Sequence, residues 1–390
     1  MTLRKTLIST IFAATLLSSG ANATDLDSLQ KQIDALKAEN QEILAGLETG
    51  LETSSKNPAQ SNNQAASGHG SSGKTTIGGY GELHYNNISS DTEDKKQIDF
   101  HRFVLFFGHE FNDNIRFFSE LELEHSIAGD GKNGEIELEQ AYLEFDISDN
   151  ANIKAGLFLI PVGSINETHE PPAFYGVERN PVEKNIIPAT WWEAGAMYSA
   201  HTDSGLSYDL AAHSGLFSTD GDIRGARQKV SNAPADSLAY TARLKYTGIN
   251  GLELAGTAQY QSDFSQGTGT AGDAEDGTLL EAHVKYTVVG ITLSALYANW
   301  DINFNGGTNT GKDAQNGSIV EASYRINSKW GVFTRQNNWT NDDGATDKTQ
   351  TDIGFNYWPH EDVVFKADYQ AQNNDAGNFD GFNLGLGYQF

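Results

Sequence analysis

The chain has 390 residues, no Cys, and 26 Lys+Arg against 52 Asp+Glu, a formal charge of −26. No disulfide, thiol nucleophile or thiolate ligand is available, and the acidic balance would repel phosphate backbones, so nucleic acid is excluded as a partner class. No apolar run of ~18 residues exists beyond the N-terminus, so no helix is expected to cross a membrane.

Residues 1–23 read as an export sequence. Arg4 and Lys5 precede the apolar stretch Leu7 to Leu17, and Ala21-Asn22-Ala23 offers a small-x-small cleavage site. Removing Arg4 and Lys5 leaves 24 basic against 52 acidic residues, a charge of −28.

Residues 24–51 carry a helical stripe at Leu26, Leu29, Ile33, Leu36, Asn40, Ile43 and Leu47. Steps of three and four define a coiled-coil seam, with Asn40 at a position where a buried polar residue sets register and oligomer state. Leu29, Ile33, Leu36, Asn40 and Ile43 are the expected oligomerisation contacts; the alternative is an amphipathic helix docked on its own domain. Residues 52–74, rich in Ser, Asn, Gly and Gln, read as a flexible linker.

From Thr75 onward the helical period gives way to a period of two. In the last strand Phe382, Leu384, Leu386, Tyr388 and Phe390 share one face, and Asn383, Gly385, Gly387 and Gln389 the other. The spacing predicts sixteen strands, at 75–86, 98–111, 115–125, 135–146, 151–160, 191–201, 205–215, 238–247, 251–262, 278–288, 290–301, 317–326, 329–339, 348–358, 362–373 and 379–390. Apolar residues of both parities leave the register of the second strand open. Tight turns such as Asn112-Asp113-Asn114 and Gly248-Ile249-Asn250 alternate with long polar loops near 87–97, 126–134, 161–190, 216–237, 263–277, 302–316 and 340–347.

Short turns on one rim and long loops on the other are the pattern of an outer-membrane barrel. The expected fold is all-β: a 16-stranded antiparallel transmembrane β-barrel over 75–390, with a short N-terminal helical coiled-coil segment. An even strand count puts both barrel ends on the short-turn, periplasmic side, where the coiled coil joins. Tyr246, Tyr286, Trp330, Trp339, Tyr357, Trp358, Tyr388 and Phe390 suit interfacial aromatic girdles.

The stretch Lys154-Ala155-Gly156-Leu157-Phe158-Leu159-Ile160-Pro161-Val162-Gly163, continued by Asn166 to Asn180 and by Thr190-Trp191-Trp192-Glu193, resembles the phosphate-selective porin O/P family of Gram-negative outer membranes. Gly79-Tyr80-Gly81-Glu82 and the terminal Tyr388-Gln389-Phe390 share the likeness, and the N-terminal coiled coil resembles that of a trimeric subgroup. The resemblance implies a homotrimer with the third long loop, 161–190, folded into the pore. The anion-selective members use a basic ladder that this sequence does not match residue by residue.

Alternation assigns Arg116, Arg243, Lys245, Lys285, Arg325, Arg335 and Lys366 to the lumen, among acids that include Glu82, Glu120, Glu122, Glu124, Glu144, Glu253, Glu281, Glu321, Asp352 and Asp368. Arg243, Lys245 and Lys285 would form a local positive track. The constriction loop offers Glu167, Glu170, Tyr175, Glu178, Arg179 and Lys184. The outer loops are acidic, a solvated surface that would meet lipid and lipopolysaccharide. No H-E-x-x-H, P-loop or G-x-S-x-G motif is present, and no catalytic residue, cofactor or metal is expected. The sequence thus predicts a passive trimeric porin for small hydrophilic, anionic solutes. The alternatives are a general cation-tolerant porin, or a barrel serving as envelope anchor or adhesin.

Overall fold

The structure is a computed structural model that describes residues 74–390, apart from 92–93, 128–130, 132, 307–310, 342–346 and 374–377. The export sequence, the helical seam with its five contacts, and all but the last residue of the linker lie outside the described residues.

Sixteen strands run in sequence order around a closed antiparallel barrel. They are β1 (Thr75–Ser90), β2 (Lys95–Asn112), β3 (Ile115–Glu124), β4 (Ile136–Ser148), β5 (Ala151–Leu159), β6 (Trp192–His201), β7 (Leu206–His213) and β8 (Ala239–Tyr246). The circuit continues with β9 (Leu252–Gln261), β10 (Ala274–Val288), β11 (Ile291–Phe304), β12 (Ala314–Arg325), β13 (Trp330–Thr340), β14 (Lys348–His360), β15 (Val363–Asn373) and β16 (Phe379–Gln389). β16 closes on β1 in a register from Tyr80 opposite Gln389 to Ser90 opposite Phe379. Closure satisfies the backbone of every strand and leaves no edge, which a chain immersed in hydrocarbon requires.

Outward positions carry exposed apolar side chains such as Leu244, Leu254, Leu280, Val320, Ile353, Phe365 and Leu384. A band of this kind around a barrel is suited to lipid. Inward positions carry buried Glu, Arg, His, Asn and Gln. Several strands extend further toward the long loops than the sequence pattern indicates: β10 starts at Ala274 and β11 ends at Phe304, paired with one another. The ladder is held by the neighbouring backbone, so it persists where side-chain alternation has faded.

Two β-bulges alter which residues face inward. Between β1 and β2, Glu82 opposes Arg102 and Leu83 opposes Phe100, so His101 is the extra residue. This resolves the two-parity pattern of the second strand: the inward set changes parity at the bulge. Between β3 and β4, Glu120 opposes Gln140 and Leu121 opposes Leu138, so Glu139 is extra. Consecutive Glu139 and Gln140 are both buried as a result.

The connection between β5 and β6 runs inside the barrel. It holds a 3-10 turn at Pro171–Ala173 and a short helix, α1 (Pro181–Asn185), neither of which the sequence reading anticipated. Pro181 occupies the first turn of α1, and Asn180 caps it, its Oδ1 accepting from the Glu183 N–H at 2.7 Å. Val162, Val182, Ile186, Ile187 and Trp191 pack with Leu279, Trp300, Ile302 and Ile319 in one buried cluster. One side of the lumen is therefore an apolar core. Trp339 is part of this cluster and Trp358 is buried too. Both share the inward parity of Arg335 and Asp352, so neither belongs to an interfacial girdle; Trp330 and Phe390, by contrast, are exposed.

Candidate functional site

The site is built on the loop, residues 160–191. Asn166 draws its two ends together: its Nδ2 donates to Ile160 O (2.8 Å) and Trp191 O (2.9 Å), and its Oδ1 accepts from the Trp191 N–H (2.7 Å). Glu183 is wholly buried yet fully used, accepting from Ser164 N (2.5 Å), Ile165 N (2.9 Å) and Asn180 Nδ2 (2.7 Å). These bonds bind helix α1 to the loop's first turn.

The wall holds the middle of the loop by its backbone. Asn356 Nδ2 donates to Phe174 O (3.1 Å), Arg335 Nη1 to Tyr175 O (3.3 Å) and Lys366 Nζ to Gly176 O (2.8 Å). The Val177 N–H in turn donates to Asp368 Oδ2 at 2.6 Å. Three of these four bonds involve a charged group, a type that contributes about 1.5–3 kcal/mol each. Tyr175 adds ring contacts to Phe333 (5.5 Å) and Trp358 (5.6 Å). Two wall glycines make the approach possible. A Cβ on Gly387 would lie 2.2 Å from Pro171 Cβ, and one on Gly317 would lie 2.6 Å from Val182 Cγ1.

The basic residues expected in the lumen therefore divide by role. Arg335 and Lys366 grip the loop, Arg335 also pairing with Asp352 at 3.0 Å. Arg243 pairs with Asp209 (2.8 Å) and with Glu167 of the loop. Arg116 pairs with Glu144 and Asp146 beside a short turn. Arg325 sits over the Trp358 ring at 3.5 Å and donates to Ser328 O, also beside a short turn. Lys245 and Lys285 flank Glu253. The expected positive track is thus interrupted by carboxylates. Of the loop residues, Glu170 lies beside His169 at the wall, Lys184 is exposed to the lumen, and Glu178 accepts from His84 Nδ1 (3.2 Å) and Asn86 Nδ2 (3.0 Å). Burial works to raise the Glu178 carboxyl, but His84 outweighs it and holds it well below the usual carboxylate range.

Opposite the apolar core, a cavity of about 1100 Å³ remains open in the lumen. One side of it is the wall of β1–β4, with Glu82, Glu122, Glu124, Glu137 and Glu139. The other side is basic and comes from two loops. Arg179 Nη1 donates to Thr190 Oγ1 (2.5 Å), Arg224 Nη1 to Lys184 O (2.6 Å) and Arg227 Nη1 to Thr190 O (2.6 Å). Three guanidiniums thus gather on one short stretch of backbone; burial and the neighbouring Arg227 and Arg179 hold Arg224 below the usual arginine range. Lys229 crosses to Glu135 and Glu137. Cations facing carboxylates across a water-filled gap create a transverse field, strong because the surrounding wall is of low dielectric. Arg224, Arg227 and Lys229 were missed from the sequence. The signal was there: Gly-Asp-Ile-Arg-Gly-Ala-Arg-Gln-Lys at 221–229 is a basic run among acidic loops.

The class these features define is the porin fold of the outer membrane: sixteen strands, a charged lumen and a loop folded within. Solved structures of that class superpose on the chain. The anion-selective porin of Comamonas acidovorans matches with a TM-score of 0.60 at 10% identity, covering 81% of this chain and 100% of its own. The outer-membrane channel DcaP of Acinetobacter baumannii gives 0.58 at 15% identity, covering 81% and 97%. OmpT of Vibrio cholerae, in a trimer form, gives 0.54 at 14%, covering 81% and 99%. No family model matches the chain. By sequence it is 40% identical over 186 residues to an uncharacterized protein of Aquifex aeolicus (strain VF5), a match over 46% of this chain and 42% of that protein. The chain thus spans less than half the length of that relative.

Proposed function

We propose that the protein is a passive outer-membrane diffusion channel for small hydrophilic solutes, with a preference for anions, in which loop 160–191 sets the size limit. The observation that carries this reading is the latched loop: it fills one half of the lumen and leaves the other as a charged, water-filled passage. The guanidiniums of Arg179, Arg224 and Arg227 supply the anion preference, because they are held at uncharged oxygens, the Thr190 hydroxyl and the carbonyls of Lys184 and Thr190, rather than each neutralised by a dedicated carboxylate. Transport is downhill and uses no nucleotide or redox cofactor. The likeness of residues 154–193 to phosphate-selective O/P porins supports the same reading. In it, residues 1–23 direct export, the seam at 24–51 trimerises in the periplasm, and 52–74 links it to a barrel embedded among lipid and lipopolysaccharide.

Single-channel recording in planar bilayers tests the proposal, with chloride, phosphate and succinate in turn. Stepwise conductance with anion-favouring reversal potentials is the expected result. A strong cation preference would overturn the selectivity, and the absence of steps would favour an anchor barrel.

A further inference from the structure

We propose that Glu120, Glu139 and His169 bind one divalent transition-metal ion, of the Zn²⁺ type, and that it clips the constriction loop to the barrel wall. The three ligands come from three elements: β3, β4 and the loop. They are 1%, 2% and 3% exposed.

Three unpartnered atoms converge. Glu120 Oε1, Glu139 Oε2 and His169 Nε2 lie within 4.8 Å of one another, and none has a hydrogen-bond partner. His169 Nε2 is 3.5 Å from Glu120 Oε1 and 3.6 Å from Glu139 Oε2. Both separations exceed a good hydrogen bond. They fit adjacent donors of a tetrahedral shell, which sit about 3.4 Å apart when metal–ligand bonds are about 2.1 Å. Buried polar atoms left in this way are costly and call for a specific occupant.

The surroundings orient each ligand. His169 Nδ1 is 3.1 Å from Asn166 O. A carbonyl only accepts, so Nδ1 carries a hydrogen, and Nε2 is the ring atom that faces the two carboxylates and would give its lone pair to an ion bound between them. Asn166 is itself fixed at both ends of the loop. Gln140 Nε2 donates to Glu120 Oε2 at 2.6 Å, which leaves Oε1 for the ion. The bulge at Glu139 lets consecutive Glu139 and Gln140 both face inward, so the ligand and the residue that orients Glu120 lie side by side. A small cavity of about 10 Å³, lined by Glu120, Gln140 and His169, leaves space on the order of one water for a fourth position.

Charge agrees with a dication. Arg102 pairs with Glu82 (2.6 Å) and Glu122 (3.7 Å). Among the described residues, Glu120 and Glu139 ion-pair only with His169. Two carboxylate oxygens and one imidazole nitrogen form a mixed donor set that suits Zn²⁺ or Co²⁺ better than the all-oxygen shells of Ca²⁺ and Mg²⁺.

The inference rests on the loop placement used in the proposed function, not on which solute crosses. The test uses the full-length protein, stripped with EDTA in detergent and reloaded with Zn²⁺ or Co²⁺. The expected result is one tightly held metal per chain by elemental analysis, with the intense visible absorption of four-coordinate Co²⁺. His169→Ala and Glu139→Gln should each weaken binding by more than ~100-fold, since loss of an outer-shell partner alone costs up to about that much. His360→Ala, at an exposed His-Glu-Asp turn, should leave it unchanged and identifies adventitious surface binding. Heat-modifiable gel migration verifies that each variant still forms a barrel. No bound metal after reloading, or equal binding in wild type and His169→Ala, overturns the proposal; the first result assigns the pocket to a proton on His169. Conductance of the same samples is recorded in parallel, so a silent but metal-loaded barrel would separate failure of the porin reading from failure of this one.

Discussion

The two halves of this lumen are built on the same strand pattern and do opposite things. Along β10–β13 the inward positions include Leu279, Trp300, Ile302 and Ile319, and the loop closes over them in a dry core. Along β1–β4 the inward positions include Glu82, Glu122, Glu124 and Glu137, and they line one side of the open cavity. Alternation sets only whether a residue points in. The partner it meets decides whether the inside is a core or a passage. The dry half supplies the stability that holds the loop, and the wet half carries the transverse field.

The sharpest way to break this comparison is to dislodge the loop from the dry half. Trp191, wholly buried and in ring contact with Trp300 (6.2 Å), is its main anchor there. Trp191→Ala should destabilise the barrel by about 3–5 kcal/mol, seen as a lower unfolding temperature on heat-modifiable gels. Gly317→Leu attacks the same seam sterically; it should raise single-channel conductance several-fold as the loop is forced off the wall, and an unchanged conductance would mean that the loop is not the constriction.

Changes in the wet half should act mainly on selectivity. Arg224→Gln together with Arg227→Gln should lower the anion-to-cation permeability ratio several-fold in reversal-potential measurements, and should also lower the unfolding temperature, because charged hydrogen bonds to the Lys184 and Thr190 carbonyls are lost. Lys229→Gln releases Glu135 and Glu137 and should move the ratio in the same direction by less, because Lys229 and its partner Glu135 are partly solvated. The smallest effect is expected outside the lumen: Val289→Ser, at a turn and 90% exposed, should stay within about 0.5 kcal/mol of wild type and leave conductance unaltered.

Much of the barrel was legible in the sequence because the signal is local. Phe382, Leu384 and Leu386 against Asn383, Gly385 and Gly387 assign inside and outside without knowledge of any neighbour. Reading the site was harder, for three physical reasons. A bulge inverts parity, so consecutive Glu139 and Gln140 both end inside; no single alternation covers the two. A long-range partner takes up a charge, so Arg335 and Lys366 hold backbone carbonyls of the loop. And a loop has no period, so Arg224 and Arg227 showed only as a basic run, with nothing local to bring them beside Thr190.

By itself the sequence determined the number of strands, the faces of most of them, and the loop that would be long enough to fill the pore. Those follow from a period of two, from turn chemistry and from segment length, all properties of adjacent residues. Only the tertiary structure decided which inward side chains meet water, which meet the loop, and where carboxylates and guanidiniums confront each other. Those depend on residues far apart in sequence, such as Val177 and Asp368, 191 positions apart, brought within hydrogen-bonding distance by barrel closure and by the loop folding back inside it.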